Sequence, residues 1–263
     1  MSPSGNGPKA NGPKAALVTG GAKRIGRAIC LMLGDAGWDV AVHFNASRNE
    51  ADAVVTELKA KGRQAVALSA DLTREDQVAA LIGRAQKAIG PLGCLVNNAS
   101  LFERDEALTA TRVSWDRHME TNLRAPFVLM QGFARLLPEG AEGAIVNILD
   151  ERVWKLTPHF TSYTLAKAGL WTLTQTMALA LAPRIRVNGV GPGPTLPSPR
   201  QSPEQFRRQI EAMPLERGAS PEEIAAAVKF ILSAPAMTGQ MIALDGGQHL
   251  GWAQTSREPP VSE

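Results

Sequence analysis

The sequence predicts an α/β fold: one doubly wound sheet of about seven parallel strands with helices on both faces. Seven short apolar runs recur along the chain: "AALVTG", "DVAVHF", "QAVALSAD", "CLVNNAS", "GAIVNILD", "RIRVNGVGPG" and "QMIALDGG". Each is continuous in hydrophobicity rather than alternating, as a strand buried on both faces must be. Segments of helical period separate them, and these supply the right-handed crossovers that parallel strands need.

The elements can be justified in order. A helix from about Arg24 to Asp35 follows the first run, and Gly37 can terminate it. The second run leads into a second helix that Gly62 closes. Near the end, "SPEEIAAAVKFIL" carries its own start signal, with Ser220 as N-cap, Pro221 in the first turn and Glu223 completing a capping box. No Pro/Gly linker divides residues 15–252, so a single domain is expected there. Residues 1–14 hold a tandem Asn-Gly-Pro-Lys-Ala repeat and read as a flexible leader; residues 253–263 read as a frayed tail.

Composition excludes several classes. With 44% apolar and 20% charged residues the chain can build a core and is not a disordered polymer. Its net charge of +3 comes from scattered basic residues, which suits an anionic small molecule and not nucleic acid. No apolar run approaches the ~20 residues of a membrane span, and the leader has no apolar signal core. Cys30 and Cys94 stand alone, so a reducing, cytoplasmic setting is expected. His43, His118, His159 and His249 are too dispersed for a metal site.

"VTGGAKRIG" sits where the first strand hands over to the first helix. Gly20 and Gly26 allow a tight turn and close approach of a pyrophosphate to the N–H groups opening the helix, a Rossmann-type arrangement with Lys23, Arg24 and Ile25 in the loop. Arg24 replaces the middle glycine of the usual pattern and can reach phosphate oxygens or an anionic substrate edge. Cofactor choice follows from the end of the second strand. An acid there would favour NAD, but the chain reads His-Phe-Asn-Ala-Ser-Arg over residues 43–48. Lys23 and Arg48, with Asn45 and Ser47, instead suit a 2′-phosphate, so NADPH/NADP is expected.

Tyr163 is the one tyrosine of the chain, and Lys167 follows at i+4 on the same helix face. A cation about 4 Å from the phenol is worth roughly 4 kcal/mol at an effective dielectric of about 20, enough to lower its pKa by a few units. Tyr163 is then expected to be a usable acid, with Lys167 also holding a ribose.

On these stretches ("TGGAKRIG", "ADL", "NNAS", "TNL", "YTLAK" and "GPGPT") the chain resembles the short-chain dehydrogenases/reductases over almost its whole length. The resemblance implies roles for further residues. Asp71 and Leu72 would lie by an adenine, and Asn98, Ala99 and Ser100 along the cofactor. Asn122 would hold a water relay behind Lys167, and Pro192, Gly193 and Thr195 would meet the nicotinamide end. It also implies a homotetramer.

Asp150 narrows the substrate. A typical carbonyl reductase of the superfamily has Ser at that strand end, where a hydroxyl donates to the oxygen gaining charge. An ionised Asp has no proton to give and repels an alkoxide. It suits a substrate that presents N–H groups or is protonated on nitrogen, although a turn-capping role is also open to it. Asp-x12-Tyr-x3-Lys resembles pteridine reductases and dihydromonapterin reductases, which also carry Arg in the glycine loop. Phe102, in "NNASLF", falls where that group places an aromatic over the pterin; it is also a candidate core residue. Two features depart from the group: Ala46 stands where some relatives carry a basic residue, and "PTLPSPRQSPEQF" reads as a Pro-rich loop without recognisable pterin contacts. Trp154 and Trp171 read as packing residues.

The expectation is therefore an NADPH-dependent reductase of a dihydropterin-like (pteridine or folate-type) small molecule. The alternatives are a carbonyl reductase of the same superfamily, acting on a 3-oxoacyl thioester or small ketone, and a non-catalytic nucleotide-binding sensor.

Overall fold

The structure, a computed structural model, describes residues 12–198 and 200–251. All seven apolar runs are strands: β1 (Ala15–Val18), β2 (Asp39–Phe44), β3 (Ala65–Ser69), β4 (Cys94–Asn97), β5 (Gly143–Ile148), β6 (Ile185–Pro192) and β7 (Met241–Leu244). They form one parallel sheet in the order β3-β2-β1-β4-β5-β6-β7. Helices α1 (Arg24–Asp35), α2 (Arg48–Ala60), α3 (Glu75–Ile89), α4 (Arg112–Met119), α5 (Ala125–Leu136), α6 (Thr161–Leu181), α7 (Pro203–Glu211) and α8 (Pro221–Ser233) connect them.

The strands are apolar throughout because both faces are covered. On one face α1, α2 and α8 bury Ile29, Leu33, Val54, Leu58, Ile224 and Ile231 against the sheet. On the other, α3, α5 and α6 bury Leu81, Ile82, Leu129, Phe133 and Leu170. Each such side chain contributes about 1.5–3 kcal/mol of transfer free energy. Gly37 and Gly62 follow α1 and α2 at φ 84° and 73°, a conformation that costs glycine little. α8 starts on the Ser220–Glu223 capping box.

The sequence reading departs from the structure in two places. The Pro-rich stretch after β6 is not all loop: Ser202 and Gln205 form a capping box with Pro203 in the first turn, and α7 begins inside it. Between α4 and α5 the backbone widens into a π-helical turn, Glu120–Arg124, which carries the buried Asn122. β1 begins at Ala15, and the Lys14 carbonyl just ahead of it accepts from the Asp39 N–H at 2.9 Å. Residues 1–11 of the leader, Trp252 at the end of the expected domain and the tail (253–263) lie outside the described residues. Among the described residues no helix is long and apolar enough to cross a membrane.

β1 and β4 are neighbours from which the chain winds outward in opposite directions. A crevice opens at the carboxyl ends of the strands at such a point, and the two adjoining cavities described below are lined by residues that follow those strand ends.

Candidate active site

The glycine loop leaves β1 and turns at Gly20, with φ 62°. A Cβ at Gly26 would lie 2.1 Å from the Gly20 carbonyl oxygen and 2.6 Å from Asn98 Nδ2, so only glycine lets α1 start this close to the loop. Thr19 Oγ1 accepts from the N–H groups of both Asn98 and Ala99 at 2.9 Å, locking the loop after β4 to the loop after β1. His43, which sequence reasoning assigned no task, accepts from the Gly20 N–H at 3.1 Å through Nδ1. Its Nε2 must then carry the proton shared with the Ala70 carbonyl, 3.0 Å away. Burial pushes this imidazole down to about 4, so it stays neutral and holds that tautomer.

The resulting cleft, about 800 Å³, is lined by Gly20, Lys23, Arg24, Ile25, Gly26, Asn45, Asp71, Leu72, Asn98, Ala99 and Ser100. Asp71 stays well below the usual carboxylate range because the Thr73 N–H and hydroxyl both donate to it. Ser47 and Arg48 were expected here, but neither is part of that wall. Arg48 opens α2 and turns along the helix onto Asp52 (2.8 Å) while covering the Phe44 ring. Lys23 does reach the wall and pairs with Glu50 at 2.5 Å.

A second, smaller cavity of about 270 Å³ adjoins the first, sharing Arg24, Ile25, Asn98 and Ser100 with it. Asp150, Tyr163, Lys167, Phe102, Pro192, Gly193 and Thr195 line it. Tyr163 and Lys167 project from α6, and Asp150 stands just beyond β5. The Tyr163 phenol donates to Asp150 Oδ2 at 2.6 Å. Asp150 also caps the short turn Glu151–Val153: its Oδ1 accepts from the Arg152 N–H at 2.9 Å, and Arg152 Nη1 lies 3.5 Å from Oδ2. The capping role and the contact with Tyr163 are therefore both met by one carboxylate.

The expected depression of the phenol by Lys167 is reversed. Burial first, then the Asp150 charge, push Tyr163 well above its ordinary value, with Arg152 opposing. Lys167 Nζ donates to the Ile148 carbonyl at 2.8 Å and lies 5.8 Å from the Tyr163 ring centre. Burial lowers this ammonium to about 8. Burial of the phenol, with the half-buried carboxylate in direct contact with it, sets this direction.

Asn122 does not present a free carboxamide to Lys167. Its Oδ1 accepts from the Leu101 N–H and its Nδ2 donates to the Leu101 carbonyl, both at 2.8 Å. It thereby fixes the loop that carries Ser100 and Phe102. Phe102 stacks on Phe160 (4.4 Å between centres, 8° between planes) and meets the Tyr163 ring edge-on at 4.7 Å. The guanidinium of Arg152 covers both phenyl rings at 5.4 Å. Phe102 is thus at once a packed residue and a wall of the cavity. Trp154 and Trp171 meet edge-to-face at 6.4 Å, in keeping with a packing role.

Arg24 takes φ 51°, the left-handed conformation that glycine adopts readily. Its guanidinium donates to the carbonyls of Leu196 and Pro197, each at 3.0 Å, tying the glycine loop to the segment after β6. Glu151 and Gln248 line the smaller cavity beside Asp150. Sequence reasoning missed both, although the acidic pair Asp150-Glu151 carried a signal for the first.

A family model described as short chain dehydrogenase matches residues 14–207. Among solved structures, FolM alternative dihydrofolate reductase 1 of Brucella suis, in complex with NADP, superposes with a TM-score of 0.89 at 47% identity, covering 96% of this chain and 99% of that one. The Brucella canis protein of the same name, also complexed with NADP, gives 0.88 at 44% identity, covering 95% and 100%. The 3-oxoacyl-[acyl-carrier-protein] reductase FabG of Staphylococcus epidermidis is 34% identical over 242 residues, 90% of this chain and 99% of that protein.

Proposed function

The chain belongs to the short-chain dehydrogenase family, and on that premise we propose that it is an NADPH-dependent reductase of the C=N bond of a dihydropterin or related folate-type ring. The single observation that carries this reading is the 2.6 Å bond from the Tyr163 phenol to Asp150. A site built to stabilise an alkoxide would place a donor beside the phenol; this one places an acceptor that is itself a base. An acceptor fits a substrate that brings its own N–H groups and takes up a proton on nitrogen. The FolM structures, at 44% and 47% identity and solved with NADP, support the same reading.

The larger cleft has the shape and chemistry for a dinucleotide. The close approach at Gly26 seats the start of α1 against the glycine loop, and the N-cap Lys23 makes no side-chain cap and so leaves the first N–H groups available to a phosphate. Lys23 and Asn45 would take the 2′-phosphate, Asp71 and Leu72 the adenine, and Pro192, Gly193 and Thr195 the nicotinamide. Lys167 would hold the ribose. When bound, NADPH supplies the hydride that adds to a ring carbon.

Tyr163 keeps its proton at neutral pH and gives it to the adjacent ring nitrogen. Asp150 orients the phenol and can pass on a replacement proton. Phe102 and Arg24 hold the ring's face and polar edge, and that positioning contributes as much as any single acid. Residues 15–252 act as one reductase domain. The two thiols, Cys30 and Cys94, are free and buried, which supports a reducing cytoplasm. A groove lined by Leu123, Phe127 and Leu173 offers an apolar face for contact between copies, in the homotetramer that the resemblance implies.

A second reading, reduction of a 3-oxoacyl thioester, is favoured by the 34% identical relative named for that activity. Parallel assays of NADPH oxidation with a 7,8-dihydropterin and with an acetoacetyl thioester test the choice. Turnover of the pterin alone is expected. Turnover of the thioester alone would replace the first reading with the second.

A further inference from the structure

Two residues that line the smaller cavity each carry a buried oxygen with no hydrogen-bond partner among the described residues: Glu151 Oε2 and Gln248 Oε1. A buried polar atom left unpaired costs on the order of 1–3 kcal/mol, so folds retain such atoms mainly where something else pairs with them. Glu151 is 3% exposed and is the residue after Asp150, on the same short turn. Gln248 approaches from the turn after β7, beside the nicotinamide-end segment: a Cβ added at Gly193 would lie 3.2 Å from its Oε1. The Lys155 ammonium, which donates to the Gln248 carbonyl at 3.1 Å, fastens the two turns together. Asp150 itself already serves Tyr163 and the Arg152 N–H. The cavity wall therefore holds more polar capacity than the hydrogen bonding of Tyr163 uses.

We propose that Glu151 and Gln248 are specificity-determining residues that recognise the hydrogen-bonding edge of a lactam heterocycle, the Glu151 carboxyl pairing with an adjacent ring N–H and C=O. The proposal rests on the pterin reading of the same site and deepens it by naming the substrate edge. Charge bookkeeping agrees with the geometry. Asp150 and Asp245 face Glu151 with like charge and Arg152 and Lys155 with opposite charge, but burial dominates and raises the carboxyl to about 8. At neutral pH it carries a proton and offers one donor and one acceptor side by side, the complement of N–H next to C=O. An ionised carboxylate would offer acceptors only and would select a different edge. Gln248 supplies a further acceptor, and its amide can also donate.

The test is calorimetric titration of the NADP-loaded protein, at neutral pH, with a 7,8-dihydropterin and with its O4-methyl analogue, which lacks the ring N–H and the C=O. Native protein, Glu151→Leu and Glu151→Gln are compared, with NADP affinity as the check that each is folded. The parent compound is expected to bind native protein about 10- to 100-fold more tightly than Glu151→Leu, the effect of two hydrogen bonds. Glu151→Gln, which keeps a neutral donor–acceptor pair, restores most of that loss, and the analogue binds all three proteins equally weakly. Equal binding of the parent to native and Glu151→Leu, equal binding of parent and analogue to native protein, or no binding to native protein overturns the proposal. NADPH oxidation with the parent compound is followed separately. Turnover with unchanged binding in Glu151→Leu removes this inference and leaves the reductase reading intact. The expected binding pattern without turnover does the reverse.

Discussion

Tyr163 donates to Asp150 across 2.6 Å, and burial together with that carboxylate makes the phenol a weaker acid than an isolated tyrosine. The site thereby keeps Tyr163 protonated throughout the physiological range. A proton donor of this kind acts when a strongly basic atom develops beside it. The ring nitrogen left after hydride reaches a C=N carbon is such an atom, and it takes the phenol's proton as it forms, so that no full negative charge builds up beside the carboxylate.

Tyr163→Phe removes the donor and is expected to lower kcat for the dihydropterin by 10²–10⁴, the usual range for a general acid. Asp150→Ser should fall within the same range on the pterin while NADPH affinity changes little. Steady-state kinetics with parallel cofactor titration check both. Equal activity of Asp150→Ser and native protein would mean that the carboxylate has no part in the reaction.

The pH dependence of kcat/KM should fall above about pH 8. Burial depresses the Lys167 ammonium to that value, so the cation assigned to ribose binding is present below it and lost above it. Glu151 titrates in the same range, so the profile is best measured in Glu151→Gln, where the remaining limb belongs to Lys167. A profile in that variant that stays flat to pH 10 would show that the charge on Lys167 is not required.

The fold was almost wholly legible because continuous apolar runs and glycine-marked helix ends are local signals. All seven runs became strands, and Arg24–Asp35 is the helix expected. The site was legible as a set of residues but not as a set of contacts. Lys167 and Tyr163 share a helix face, yet the nearer and stronger partner of the phenol, Asp150, comes from the end of another strand. The capping box at Ser202 was hidden by the prolines around it, and the π-helical turn at Asn122 has no compositional mark. Ser47 and Arg48 do not line the cleft, and the Arg48 guanidinium instead pairs with Asp52 along α2.

The contribution of Glu151 to stability should fall as pH rises from about 4.5 to about 8. Buried His43, lowered to about 4 from an ordinary 6.5, opposes it over the lower part of that range. Glu151 has a folded-state value of about 8, above the 4.5 of the unfolded chain. Across that interval the folded state holds a proton that the unfolded state has released, so folding is favoured fully below 4.5 and progressively less up to 8. The difference amounts to a few kcal/mol on the order-of-magnitude scale of such linkage. Glu151→Gln cannot titrate, and its denaturation midpoint should lose this slope. An unchanged slope would place the responsible group elsewhere.

Arg24 combines an unfavourable backbone with favourable side-chain bonds. Its φ of 51° costs about 1–2 kcal/mol, and each of its two bonds to Leu196 and Pro197 returns about 1 kcal/mol. Arg24→Gly removes both the strain and the bonds, so its Tm should stay close to native. Arg24→Ala keeps the strain, loses the bonds and should melt lower. Both variants should raise KM for the pterin, because the segment after β6 is no longer tied to the glycine loop. A Tm for Arg24→Gly well below that of Arg24→Ala would contradict this division.

Two glycine-to-alanine changes should move stability in opposite directions. At Gly26 the new methyl would meet the Gly20 carbonyl at 2.1 Å and the Asn98 amide at 2.6 Å. Neither can retreat: Gly20 is held through His43, and Asn98 Nδ2 donates to the Thr19 and Gly20 carbonyls at 2.9 and 3.2 Å. Gly26→Ala should therefore cost at least 1–3 kcal/mol, the range for overpacking a fixed site, and weaken NADPH binding as α1 is pushed from the loop. Gly83 lies on the exposed side of α3, with nothing within 4 Å of an added Cβ. Gly83→Ala should stabilise by about 0.5–1 kcal/mol through helix propensity alone, with cofactor affinity unchanged. Chemical denaturation and NADPH titration of both variants measure the contrast. NADPH affinity in Gly26→Ala equal to native would show that the close approach of α1 serves packing and not the cofactor.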